Sequence, residues 1–265
     1  MSVPIALTIA GSDSSGGAGV EADLKTFSAL GVYGAAVITA LTAQNTKGVF
    51  AIHDVPADFI AAQIDAVFSD LKVDAVKIGM LANAPAIAAV AAALDRHRPR
   101  NVVLDPVMVA SSGNTLLRED AIGRLRDLIR RVDVLTPNLP EAAVLLDTAL
   151  ARDEADMRGQ GQKLLALGAG AVLIKGGHAG GLESVDLLLQ ADHCTRFAAP
   201  RVATRNTHGT GCTLASAIAA GLASGLALEV AVAEAKAYVS AAIAAADRLA
   251  VGSGRGPLHH FYKWW

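Results

Sequence analysis

Short apolar runs alternate with longer stretches of helical period from one end of the chain to the other. The short runs read as strands at Ile5 to Ala10, Ala35 to Leu41, Ala75 to Ile78, Asn101 to Asp105, Val132 to Thr136 and Ala171 to Lys175. Their nearly continuous apolar character predicts burial on both faces. Between them the spacing predicts helices at Ala18 to Leu30, Ala57 to Leu71, Ala84 to Arg98, Asp120 to Arg130, Asp153 to Leu167, Cys212 to Ser224 and Leu228 to Leu249. Another helix opens at Asn138-Leu139-Pro140-Glu141, and Pro56, Pro85 and Pro140 fall at or near first turns, where a missing N–H costs nothing. A weaker hairpin, Ser184 to Leu189 and Cys194 to Ala198, adds antiparallel edge strands. Such alternation predicts an α/β fold, a mostly parallel central sheet with helices on both faces.

Length and composition narrow this picture. A chain of 265 residues builds one large core, so a single domain over residues 1–265 is expected. With 52% hydrophobic and 18% charged residues it has apolar surface enough to offset the entropy of ordering. A formal net charge of −2 gives no overall field to gather nucleic acid or anionic lipid, so any anionic ligand must be held locally. Two uncharged stretches, Thr26 to Thr46 and Gly209 to Leu228, have the length of a membrane span. Both are Ala-rich and broken by Gly, Ser, Thr or Asn, which predicts buried core segments. Cys194 and Cys212 have no metal-ligand spacing, and Met1-Ser2-Val3-Pro4 carries no basic region before an apolar core, so a reducing cytoplasm is the expected setting.

Parallel sheets place ligands at the carboxyl ends of their strands. Here those positions hold Gly11-Ser12-Asp13, Thr42-Ala43-Gln44-Asn45, Gly79-Met80, Asp105-Pro106-Val107, Thr136-Pro137-Asn138 and Lys175-Gly176-Gly177-His178. The loop from Gly11 to Gly19 is neither a Walker A loop nor a GxGxxG turn, and alone it fits a plain βα turn as well as a ligand site. The segment Asn206-Thr207-His208-Gly209-Thr210-Gly211-Cys212-Thr213 is sharper. Its glycines precede a long Ala-rich helix whose first N–H groups, at the positive end of the helix dipole, suit an anion such as a phosphoryl group in transfer. Ordinary helix capping is the competing reading.

Cys212 lies in that first turn, where the dipole is expected to lower the thiol pKa and favour a thiolate base, although free cysteine more often serves as a small buried hydrophobe. Asn138 and Glu141 share one face at the rim, and Glu141 with Asp105 forms a candidate Mg²⁺ pair, the ion being held through water. Lys175, ending an apolar strand, calls for an anionic partner, for which phosphate is the candidate. Asp23 and Gln44 suit hydrogen bonds to a heteroaromatic ring, and Met80 and Val107 suit its faces. His208, His259 and His260 show no metal-ligand spacing.

The chain resembles the bacterial hydroxymethylpyrimidine/phosphomethylpyrimidine kinases of the ribokinase-like superfamily. The resemblance is carried by Ala6 to Asp13, Ala22 to Phe27, Ile38 to Leu41, Ala43 to Thr46, Lys77 to Leu81, Asp105 to Met108, Thr136 to Glu141, Lys175 to His178, Thr207 to Thr213 and the tail Gly256 to Phe261. It implies a three-layer ribokinase-like fold, ATP and Mg²⁺ as cofactors, a small aminopyrimidine substrate and a homodimer. It places the pyrimidine against Gly11, Asp23, Gln44, Met80 and Val107. Gly209, Gly211 and Cys212 become the anion hole and base, Lys175, Asn138 and Thr210 the nucleotide contacts, and Glu141 and Asp105 the metal pair. Two positions depart from the pattern: Ser111-Ser112-Gly113 where Lys-Ser-Gly is usual, and Ser14 where Pro is common. A pyridoxal or pyridoxine kinase is the nearest alternative, and a non-enzymatic binder of pyrimidine phosphates is the alternative of a different class.

Overall fold

Successive side chains along the central strands enter two different cores, as a period of two demands. In β1 (Ile5–Ala10) Leu7 and Ile9 pack on one side and Ala6 on the other. In β5 (Ala75–Ile78) Val76 and Ile78 oppose Ala75, and in β8 (Ala171–Lys175) Val172 and Ile174 oppose Ala171 and Leu173. The computed structural model describes residues 3–109, 113, 115–177 and 180–265.

With β2 (Tyr33–Ile38), β6 (Val102–Leu104), β7 (Val134–Leu135), β9 (Glu183–Leu189) and β10 (Cys194–Pro200), these strands form an eight-stranded sheet in the order β10-β9-β8-β7-β6-β5-β1-β2. Pairing is parallel from β2 through β8 and antiparallel at β9 and β10, the expected hairpin. Helices α2 (Ala57–Phe68), α3 (Ala84–His97), α4 (Ile122–Leu128), α5 (Leu139–Leu146) and α6 (Glu154–Ala166) bury Ile60, Ile87, Leu125, Leu139 and Leu164 against one face. Helices α1 (Gly19–Ala29), α7 (Thr210–Ala223) and α8 (Leu228–Ala244) bury Phe27, Ile218 and Val232 against the other. The α/β, three-layer architecture is therefore as expected.

Two expectations need correction. The run from Ala35 to Leu41 is not one strand: β2 stops at Ile38, and the Thr39 amide donates to Ala10 O at 2.9 Å while its hydroxyl donates to Met80 O at 2.7 Å. The chain then leaves the sheet as β3 (Ala40–Asn45), which pairs antiparallel with β4 (Gly48–Asp54) in a separate ribbon. Thr42 to Asn45 is thus strand rather than loop. The helix expected at Asp120 to Arg130 is shorter, because 3₁₀ turns at Glu119–Ala121 and Ile129–Arg131 flank α4. Of the two uncharged stretches, Thr26 to Thr46 divides among α1, β2 and β3, and Gly209 to Leu228 is chiefly α7. Among the described residues no helix is long and apolar enough to cross a membrane.

Candidate active site

Strand order reverses its direction of growth at β1, which has β2 on one side and β5 on the other. A crevice opens outside the strand ends at such a point. Gly11, Gly79 and Asp105 follow β1, β5 and β6 there, and α7 begins above them.

The turn into α7 is built around Gly209, whose φ of +83° places it in the left-handed region. A Cβ at that position would lie 1.9 Å from Gly17 O, so backbone approach excludes any side chain. Thr210 N and the Thr210 hydroxyl both donate to Thr207 O, at 3.3 and 2.7 Å. Thr210 therefore braces the helix start, and its donors are not free for a nucleotide as expected. The Gly211 and Cys212 amides have no protein acceptor among the described residues, and both residues keep some solvent contact. Two free N–H groups at a helix start are donors suited to an anion.

Cys212 departs from expectation. Although the residue keeps some exposure, the protein packed around it pushes the thiol up to about 11. Lys77 and a hydrogen bond from the Gly19 amide oppose this, while Asp23 and Asp105 add to it. Desolvation outweighs the helix dipole.

Lys175 also differs: its anionic partner is Asp105, with Nζ 2.6 Å from Oδ1. A Cβ on Gly211 would sit 3.3 Å from that ammonium and 3.5 Å from Asp105 Oδ2, so the pair lies directly against the start of α7. Glu141 joins them. Burial first, then Asp105, pushes its carboxyl up to about 7 against the pull of Lys175. Asn138 and Glu141 form a complete capping box: Glu141 N donates to Asn138 Oδ1 and Asn138 N to Glu141 Oε2, both at 2.9 Å. Asp105 and Glu141 bring two acidic groups near one ammonium, and a cation there would favour the ionised form of Glu141, so the residues fit Mg²⁺. Among the described residues no group of three His, Cys, Asp or Glu side chains forms a cage. The fit is to an ion that keeps its waters and takes phosphate oxygens.

Asp23 is not the ring contact it was expected to be. It is fully buried, with Lys77 Nζ 2.8 Å from both carboxylate oxygens and the hydroxyls of Thr8 and Ser216 donating at 2.6 Å. The pleat explains this: Thr8 and Lys77 are paired across β1 and β5 on the face that meets α1 and α7. The expected ring contacts that do come together are Gly11, Met80 and Val107. A Cβ on Gly11 would lie 3.0 Å from Met80 Sδ, and Val107 packs with Ala40, Met80 and Ala82 in a small apolar cluster of its own.

Gln44 lies on β3, beside the turn that holds Ser12 to Ser14. Its backbone is clamped by Ser14, whose hydroxyl donates to Gln44 O at 2.8 Å and accepts from Gln44 N at 2.9 Å. That clamp is what the departure from Pro supplies. The Gln44 carboxamide has one end 3.3 Å from Thr42 Oγ1 and the other 3.3 Å from His208 Nε2. His208 Nε2 in turn lies 2.7 Å from Asp13 Oδ2. Burial favours the neutral Asp13 acid, yet hydrogen bonds from His208 and Ser15 hold its carboxyl down at about 2. Sequence spacing missed the Asp13–His208 pair because its members are 195 positions apart. The signal available was a single histidine beside a glycine turn. Ser111, Ser112 and His178 lie outside the described residues.

Comparison with known proteins agrees with this geometry. The phosphomethylpyrimidine kinase family model matches residues 13–259. A hydroxymethylpyrimidine/phosphomethylpyrimidine kinase of Rhizobium meliloti (strain 1021) is 60% identical over 262 residues, 98% of each chain. Among solved structures, phosphomethylpyrimidine kinase from Clostridium difficile 630 is 44% identical with a TM-score of 0.81, covering 91% of this chain and 100% of that one. Pyridoxal kinase from Bacillus subtilis, solved as an ADP complex, is 36% identical with a TM-score of 0.90, covering 98% of both chains. With free amides at a helix start beside the Lys175–Asp105 pair, and with relatives this close over nearly its whole length, the chain belongs to the phosphomethylpyrimidine kinase family.

Proposed function

We propose that this chain transfers the terminal phosphoryl group of ATP to 4-amino-5-hydroxymethyl-2-methylpyrimidine and then to the resulting monophosphate, in thiamin biosynthesis or salvage. The observation that carries this reading is the juxtaposition of the free Gly211 and Cys212 amides with the Lys175–Asp105 pair. The ring lies against Gly11, Met80 and Val107, with Gln44 meeting its polar edge. The hydroxymethyl oxygen then faces Cys212, which takes its proton as the oxygen attacks the γ-phosphorus. The amides of Gly211 and Cys212 stabilise the charge that develops on the transferred group. Lys175 exchanges Asp105 for phosphate oxygens when the nucleotide arrives. Asp105 and Glu141 would hold Mg²⁺, which supplies charge neutralisation on the phosphates.

The chain acts as a homodimer in this reading. Supporting it, β3 and β4 project from the sheet as an isolated ribbon with Leu41, Phe50 and Ile52 exposed by 46%, 69% and 39%. The free thiols Cys194 and Cys212 suit a reducing cytoplasm. A coupled ATP-consumption assay with the aminopyrimidine alcohol, followed by product analysis, tests the function. Mono- and diphosphate products are expected. Faster turnover of pyridoxine than of the pyrimidine would assign a pyridoxine kinase instead, and no ATP consumption with either would leave a binding protein.

A further inference from the structure

Hydrogen-bond accounting around Gln44 identifies a specificity device that the catalytic chemistry does not use. As placed, the carboxamide turns Nε2 toward His208 and Oε1 toward Thr42, each at 3.3 Å. At the first end, Asp13 faces His208 Nε2 at 2.7 Å. An ionised carboxylate offers lone pairs and no hydrogen, so His208 Nε2 carries the hydrogen and Gln44 Nε2 meets it donor against donor. At the second end, the Thr42 hydroxyl has one hydrogen, and its shorter bond, 2.9 Å, goes to Ser12 O, which only accepts. Thr42 Oγ1 therefore has lone pairs to offer Gln44 and no second hydrogen. A half-turn of the amide relieves both ends together: Nε2 then donates to a lone pair of Thr42 Oγ1, and Oε1 faces the His208 N–H as a second, longer acceptor of the hydrogen that Asp13 holds. Oxygen and nitrogen of a terminal amide are told apart by such a network rather than by shape.

We infer that Asp13, His208 and Thr42 lock the Gln44 carboxamide with Oε1 toward His208 and Nε2 toward Thr42, making the site selective for a 4-aminopyrimidine over its 4-oxo counterpart. Each end of the amide spends one hydrogen-bonding position on the lock and keeps one for the ring. The free edge presents one donor and one acceptor in fixed order. The edge of a 4-aminopyrimidine, with a ring nitrogen accepting and an exocyclic amino group donating, matches an amide in the bidentate manner of glutamine on adenine. The 4-oxo ring presents the reverse order and needs the amide turned over. Ser14 fixes the backbone of Gln44 on both sides, and the contacts at the two ends of the carboxamide fix which way the amide faces. His208 and Asp13 touch neither the ring nor the phosphates in this arrangement and act as positioning residues.

This inference rests on the reading of Gln44 as the residue that meets the ring, and its test separates the two. The ratio of kcat/KM for the 4-amino substrate to that for the 4-oxo analogue is measured for the full chain, for Gln44→Ala, for His208→Gln and, from the other side of the lock, for Thr42→Val with Thr42→Ser as the conservative rescue. Thermal melting of each variant confirms its fold. The parent protein is expected to favour the amino substrate by on the order of ten- to a hundredfold, and His208→Gln and Thr42→Val to bring the ratio within about threefold of unity, with Thr42→Ser restoring it. If Gln44→Ala leaves the ratio and KM unchanged, the reading of Gln44 falls and the lock with it. If Gln44→Ala abolishes discrimination while Thr42→Val, or a folded His208→Gln, retains it, the lock alone is overturned. Should His208→Gln fail to fold, the Thr42 pair decides.

Discussion

The ammonium of Lys175 lies 2.6 Å from Asp105 Oδ1, at the spot where the first turn of α7 offers its free amides. Burial disfavours the charged ammonium, but Asp105 and then Glu141 more than compensate and raise its pKa, so Lys175 waits fully charged for a phosphate. Lys175→Met should lower kcat/KM for ATP by about 10²-fold or more, because an electrostatic contact to the migrating phosphoryl group is lost. Steady-state kinetics with ATP varied checks this.

Beneath the site, the fully buried Lys77–Asp23 pair spans β5 and α1, and Ser216 ties it to α7. Removing one member strands the other charge away from water. Lys77→Met is expected to destabilise the protein by about 3–5 kcal/mol in urea denaturation. Replacing both members with apolar residues of similar volume should recover much of that loss.

The exposed ribbon predicts an assembly. If the chain dimerises through this ribbon, Phe50→Asp, which charges an exposed position of β4, should give a monomer's mass by light scattering where the parent protein gives a dimer's. An unchanged dimer would place the interface elsewhere.

Much of this was legible from the pattern of residues, and the exceptions share physical causes. The strands from β5 to β8 were readable because two-sided burial leaves continuous apolar runs such as Ala171 to Lys175. The ribbon was not, since Gly48 to Asp54 carries Phe50 and Ile52 on an exposed strand and so lacks a one-sided pattern. At the site, Gly209, Gly211 and Cys212 stood out because a glycine turn before a helix has local meaning. Asp23 misled for the opposite reason: a carboxylate on a helix reads as available until the pleat brings Lys77 under it. Asp13 and His208, like Lys175 and Asp105, meet only through the fold. The Cys212 pKa depended on packing rather than on position in a turn.

That pKa sets a pH signature. With the thiol pushed up to about 11, the thiolate fraction grows about tenfold for each unit that the pH rises toward that value, so transfer to the alcohol should accelerate from neutral pH upward. Transfer to the monophosphate needs no base once its second proton, of pKa near 6, is gone, and should be flat above about pH 7. Rates for the two steps measured across this range check the contrast.

The most direct test compares single-turnover transfer from ATP to the alcohol and to its monophosphate in Cys212→Ala. The account predicts a loss of about 10²-fold or more in the first transfer, with the second slowed far less. Equal losses in both would contradict it, leaving Cys212 as part of the turn and no base for the alcohol proton.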